Sequence, residues 1–153
     1  MLTYLLLRLF HIAFAAVWWG ASLPISRDIR YTLNRADLQF EPLIYRTGRA
    51  RLFGMGSGLA TIVTGLLLIS TIGGFGRVPS AILIGLGLAA VLLFSEFFVF
   101  GAVWKKLVTC LNAESVNSAQ AKHLARRLTY IGGTHHGLWV VVLCLMIFRH
   151  YQS

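Results

Sequence analysis

SAILIGLGLAAVLLFSEFFVFGAVW, residues 80–104, is a continuous apolar run with one carboxylate, Glu96, inside it. Its length suits a bilayer, which takes roughly 20 residues of helix to cross. A carboxylate at that depth is costly unless it is paired, protonated or turned toward a polar interior. The run therefore predicts a membrane helix and a polar site beside it. Three further apolar stretches of similar length lie at 2–23, 52–73 and 128–148, with this one counted as 81–104. In lipid every backbone polar group must be satisfied internally, so spans are helices or closed barrels. These runs are continuous rather than alternating, which excludes a barrel. The expectation is an all-α integral membrane protein: a single domain over 1–153 forming a four-transmembrane-helix up-down bundle.

The composition agrees. Of 153 residues 57% are hydrophobic and only 12% are charged. The net charge of +9 is confined mainly to two segments. Arg27, Arg30, Arg35, Arg46, Arg49 and Arg51 fall between the first and second spans, and Lys105, Lys106, Lys122, Arg126 and Arg127 between the third and fourth. Arg8, Arg77 and Arg149 are the remaining cations. That is the positive-inside pattern, which puts loops 24–51 and 105–127 in the cytoplasm and both termini outside. No recognition motif accompanies the charge, so it argues for anionic headgroups rather than nucleic acid. The first span lacks a basic leading segment and is too long for a signal peptide.

The first loop carries apolar residues near helical spacing, Ile29, Tyr31 and Leu33, then Phe40, Leu43 and Ile44. Short interfacial helices are expected there, with Pro24 as the boundary after span one and Asp37 as the cap of the second. Ser118 is the expected cap of a helix running into span four. Gly54, Gly58, Thr61 and Gly65 give span two a small-residue face, which permits close helix approach.

Four ionisable positions remain in the apolar runs: Arg8, His11, Glu96 and His136, the last with His135 beside it. Tyr4, Arg8, His11, Ala15, Trp18 and Ser22 recur at spacings of three and four and share one helical face. At 1.5 Å per residue His11 lies roughly 14 Å from the outer end of its span, with Glu96 and His136 each roughly 12 Å from the inner end of theirs. Glu96 and His136 can thus meet at one level. His135 is turned about 100° away and fills an adjacent face. Three uses compete for this cluster. One is structural. A second is a haem b site with His11 and His136 as axial ligands, Arg8 on a propionate, and Glu96 and His135 as orienting or relay groups. A third is a divalent-metal or proton pathway, though no HExxH spacing is present.

Two stretches, LRLFHIAFAAVWWGASLPISRDIR and RLTYIGGTHHGLWVVVLCLMIFRH, carry a family resemblance. The histidine followed by Trp-Gly and a basic stretch resembles small bacterial four-helix membrane proteins, namely the HemJ-type protoporphyrinogen IX oxidases and the copper-resistance protein D (CopD-like) group. The likeness is best over span one. For the oxidases it implies haem b, a span-one histidine, matched by His11, and a span-three lysine. Lys105 and Lys106 follow span three, whereas that lysine lies nearer its beginning. The resemblance implies a bacterial inner-membrane protein in electron transfer or porphyrin oxidation, with a quinone or another membrane redox partner. The other expectations weighed are a non-catalytic subunit of a larger membrane complex or homo-oligomer, and a copper or proton permease component.

Overall fold

The computed structural model describes residues 2–34, 39–113 and 116–148, and among them every regular element is helical. The elements are α1 (Leu2–Ser22), α2 (Ile25–Leu33), α3 (Glu41–Thr71), a 3₁₀ turn (Phe75–Arg77), α4 (Ser80–Ser95), a π-helical segment (Glu96–Phe100), α5 (Gly101–Leu111) and α6 (Ser118–Phe148). Four helical stretches are long and apolar enough to cross a membrane: Leu2–Leu33, Glu41–Thr71, Ser80–Leu111 and Ser118–Ile147. Each overlaps one of the four expected spans, the second ending at Thr71 rather than at 73 and the fourth at Ile147 rather than at 148. The cations Arg35 and Arg149 and the expected cap Asp37 lie outside the described residues.

Local chemistry accounts for the breaks. Pro24 separates α1 from α2, where it lacks an N–H to continue the first helix. After α3 the chain turns through Gly73 and Gly74, at φ of 100° and 85°, a region that favours glycine. The Gly74 N–H closes the helix end on the Ile69 carbonyl at 3.0 Å. Two expectations need correction. The second interfacial helix does not stand alone: Pro42 sits in the first turn of α3, and the helix runs on through Gly48 into the apolar part of span two. The start of α6 is capped by Asn117 rather than Ser118, with the Asn117 side-chain oxygen accepting from the Gln120 N–H at 3.0 Å.

Packing divides the molecule into two pairs. α1 lies along α3, while α4 and α5 lie along α6. The largest apolar core is at the end carrying the basic loops. There Ile29, Leu43, Leu107 and Leu128 from α2, α3, α5 and α6 are fully buried. Toward the other end the interior thins to Trp18, Ala89, Leu92, Trp139 and Val142, then to Ile69, Val78 and Ile82. Outward faces are strongly apolar there, with Leu9, Phe10, Val91, Phe94 and Val141 all exposed. That inversion is what a lipid-facing surface requires, because a bilayer imposes no penalty on exposed apolar side chains.

The small-residue face of α3 receives α1. A Cβ on Gly58 would lie 2.7 Å and 2.9 Å from ring carbons of Trp18 and 3.0 Å from Leu93. Trp18, only 2% exposed, is therefore seated where a side chain on α3 is missing. It also meets Trp139 of α6 edge-on, with centroids 4.9 Å apart. Gly58→Ala is expected to destabilise the protein by about 1–3 kcal/mol through overpacking against a rigid indole. Gly56→Ala on the same helix, where no atom lies within 4 Å of the added carbon, is the control and is expected to be neutral. Thermal unfolding in detergent, followed by the helical circular dichroism signal, checks the difference.

Candidate functional site

The π segment is the local device that turns Glu96 inward. Along α4 and α5 the buried positions run Leu92, Glu96, Phe100, Val103 and Leu107. Two successive steps of four would drift off one α-helical face, and a wider turn between them keeps the line intact. The Gly101 N–H bonds the Glu96 carbonyl across this turn. Glu96 is consequently 7% exposed, while Phe97, Phe98 and Val99 face outward.

The Glu96 carboxylate is held by α1. The Trp18 indole Nε1–H donates to its Oε2 at 2.9 Å. A Cβ on Gly54 would lie 3.6 Å from Oε1, so the second glycine of the α3 face shapes the other side of the carboxylate. Arg51, one turn before Gly54, reaches the same interior. Its guanidinium carbon stands 5.4 Å from the Phe100 ring centroid, and its Nε is buried without a hydrogen-bond partner. Among the described residues the ion pair within 4.0 Å is Arg46–Asp28, so Arg51 acts on Glu96 through space rather than by direct contact.

The expected meeting of Glu96 with His136 does not occur. His136 lies edge-on to Trp19 with centroids 6.5 Å apart, and its Nδ1 is buried without a partner. His135 is the histidine turned toward α4. Its Nε2 is 3.0 Å from the hydroxyl of Ser95, the residue before Glu96. The α6 histidine pair thus does come near the level of Glu96, through His135 at the preceding residue. The wider turn at Glu96 and the competing indole of Trp18 then decided which side chain Glu96 reaches.

His11 lies in a second polar environment. Its Nδ1 is 3.0 Å from the Thr61 carbonyl oxygen and 3.2 Å from the Thr64 hydroxyl. The carbonyl only accepts, and the Thr64 hydroxyl donates its own proton to the Ala60 carbonyl at 2.7 Å. Nδ1 therefore carries the proton, and Nε2 keeps a free lone pair. A Cβ on Gly65 would come within 3.2 Å of the imidazole Cε1, so this glycine makes room for the ring. The ring lines a cavity of about 450 Å³ between α1, α3, α4 and α6. Tyr4, Arg8 and Thr61 share the wall, while Trp19, Trp139 and Met146 are among its larger apolar members. His136, His135 and Glu96 are absent from that wall. The sequence-derived set is thus divided: Arg8 and His11 line the cavity, and Glu96 and His135 belong to the interior on the other side of Trp18 and Trp19.

Several participants were not singled out from sequence. Arg51 sits at the edge of an apolar run and reads as a loop cation, Ser95 reads as an ordinary helix residue, and Thr64 is off the glycine face. Trp18 was in the inward stripe, with no partner assigned to it. Its spacing of seven from His11 was the available signal.

Among the described residues the fold has four membrane-length helices, a buried carboxylate and a histidine-lined cavity, the pattern of a multi-pass membrane protein. Comparison with family models, with curated proteins and with solved structures yields no match to this chain.

Trp18→Phe keeps most of the apolar volume but removes the donor to Glu96. The variant is expected to lose about 1–3 kcal/mol, because a buried acceptor is left unsatisfied. Glu96→Gln retains an oxygen for the indole and is expected to lose less. Detergent unfolding of both variants and of the double variant measures the coupling. Additive losses would show that the contact contributes nothing to the fold.

Proposed function

We propose that the protein is a membrane-embedded binder of haem b or a related porphyrin, acting in electron transfer or porphyrin oxidation. The observation that carries this reading is the free Nε2 lone pair of His11 on the wall of a largely apolar cavity of about 450 Å³. That volume falls in the range of small-molecule pockets, about 300–1,000 Å³. A metal-bound histidine characteristically donates its other ring N–H to a carbonyl, and the Thr61 carbonyl fills that role. The donor set fits one axial histidine. Met146 brings a thioether to the same wall, and a histidine–methionine pair is a known haem donor set. His136 is not on that wall, so the reading rests on His11 without it.

Haem, when bound, supplies one-electron redox chemistry. The chain's own contribution is separate. His11 is fixed in one tautomer by Thr61. Arg8 offers a cation to a propionate, and Trp19 and Trp139 give flat apolar walls that exclude water. The likeness of span one to the HemJ-type and CopD-like groups adds to this reading. So does the charge asymmetry, which favours a bacterial inner membrane with both termini outside and the helices running up and down. A quinone or another membrane redox partner is the expected electron acceptor or donor.

Protein purified in mild detergent, with haem b supplied, should show a Soret band and a sharp α-band on reduction. His11→Ala is expected to abolish both. His136→Ala is expected to leave both, because that ring lies away from the cavity. Protein that stays colourless after reconstitution would sink the proposal, and loss of the bands in His136→Ala alone would move the ligand to a different face of α6.

A further inference from the structure

A cleft of about 670 Å³ lies at the basic end of the molecule, between the last turn of α2 and the first half of α6. Arg30 enters it from α2, and Lys122 and Arg126 enter it from successive turns of α6. Among the described residues no carboxylate lines it. None of these three cations has an ion-pair or hydrogen-bond partner among the described residues. Three like charges directed into one concavity repel each other, and an anion held between them removes that cost. The threonine hydroxyls of the cleft do not compete for the role. Thr129 and Thr134 donate to the carbonyls of Ala125 and Tyr130 in their own helix, and the three cations supply the charge at the opening.

The cleft also has a direction. From Lys122 to Thr134 it follows α6 for about 18 Å at the helical rise. It passes Tyr130, which is 74% exposed, and reaches Gly133, where an added Cβ would meet no atom within 4 Å. A cationic mouth, an exposed tyrosine of the kind found at headgroup level, and an open strip along a membrane-length helix match the polar-to-apolar order of one phospholipid molecule.

We propose that this cleft is a binding site for the phosphate-bearing headgroup of an anionic phospholipid, held by Arg30, Lys122 and Arg126, with the upper acyl chain against Tyr130 and Gly133. A free phosphate would satisfy the three cations but would leave the open strip along α6 unused. The site is separate from the His11 cavity and depends only on the membrane part of the reading above.

Native mass spectrometry of the detergent-solubilised full chain, titrated with phosphatidylglycerol or phosphatidylcholine, tests it. The wild-type chain is expected to prefer phosphatidylglycerol. Arg30→Gln, Lys122→Gln and Arg126→Gln are each expected to cut that preference about fivefold, and together to abolish it. A control with Arg27→Gln, Lys105→Gln and Lys106→Gln removes the same charge from exposed positions outside the cleft and is expected to keep it. Equal loss in both triple variants would overturn the site in favour of diffuse charge. Displacement of the lipid by excess inorganic phosphate would overturn the lipid assignment, because the acyl contacts would then contribute nothing. Both triple variants alter exposed side chains, and an unchanged helical circular dichroism spectrum verifies their folding.

Discussion

The hydrogen bond from the Trp18 indole to the Glu96 carboxylate is the constraint on which the rest of the interior depends. It joins α1 to the helix formed by α4, the π segment and α5, and it does so across the glycine face of α3. Apolar packing alone gives little preference among lipid-facing and protein-facing surfaces inside a bilayer, because lipid chains are as apolar as leucine. A buried carboxylate has no such indifference. It must find a donor inside the protein, and only one orientation of α1 supplies the indole. Gly54 and Gly58 exist in that arrangement as absences: one leaves space for the carboxylate, the other for the ring that binds it.

Two polar regions follow from this, on either side of a tryptophan layer. Trp18, Trp19 and Trp139 lie between the cavity that holds His11 and the interior that holds Glu96, Arg51 and the Ser95–His135 contact. His11 finds its partner on the backbone of α3 and Glu96 on α1, while the buried Arg51 Nε has no hydrogen-bond partner. The sequence brings four ionisable residues to similar depth. The structure separates them because aromatic rings of large area occupy the midline between the helices.

The helical class, the four membrane-length runs and the basic character of one end were legible in the sequence, since length and hydropathy report them directly. Inward placement of His11 and Glu96 was legible too, from the cost of burying ionisable groups in lipid. Their partners were not. Ideal helical rise and rotation place Glu96 beside His136, and the π turn at Glu96–Phe100 breaks that arithmetic at the residue concerned. Hydrogen bonds from side chains to backbone, such as His11 to the Thr61 carbonyl, leave no mark in residue type. The Asn117 cap and the continuous α3 were missed for a simpler reason: several neighbouring residues could play either role, and packing chose between them.

The π turn also sets a phase. α4 and α5 form one span, yet the face that α4 turns to α6 and the face that α5 turns to it are kept in step by a single wide turn. Closing that turn to ordinary α geometry with the same number of residues would rotate everything beyond it by about 100°. Leu107 and Leu111 would then leave the core at the basic end, and Lys105 and Lys106 would swing round the helix with them. The span therefore has a phase that its hydrophobicity does not dictate: the wide turn absorbs one residue, and an insertion or deletion elsewhere in the span, which a membrane would accept, would break the register between its two halves.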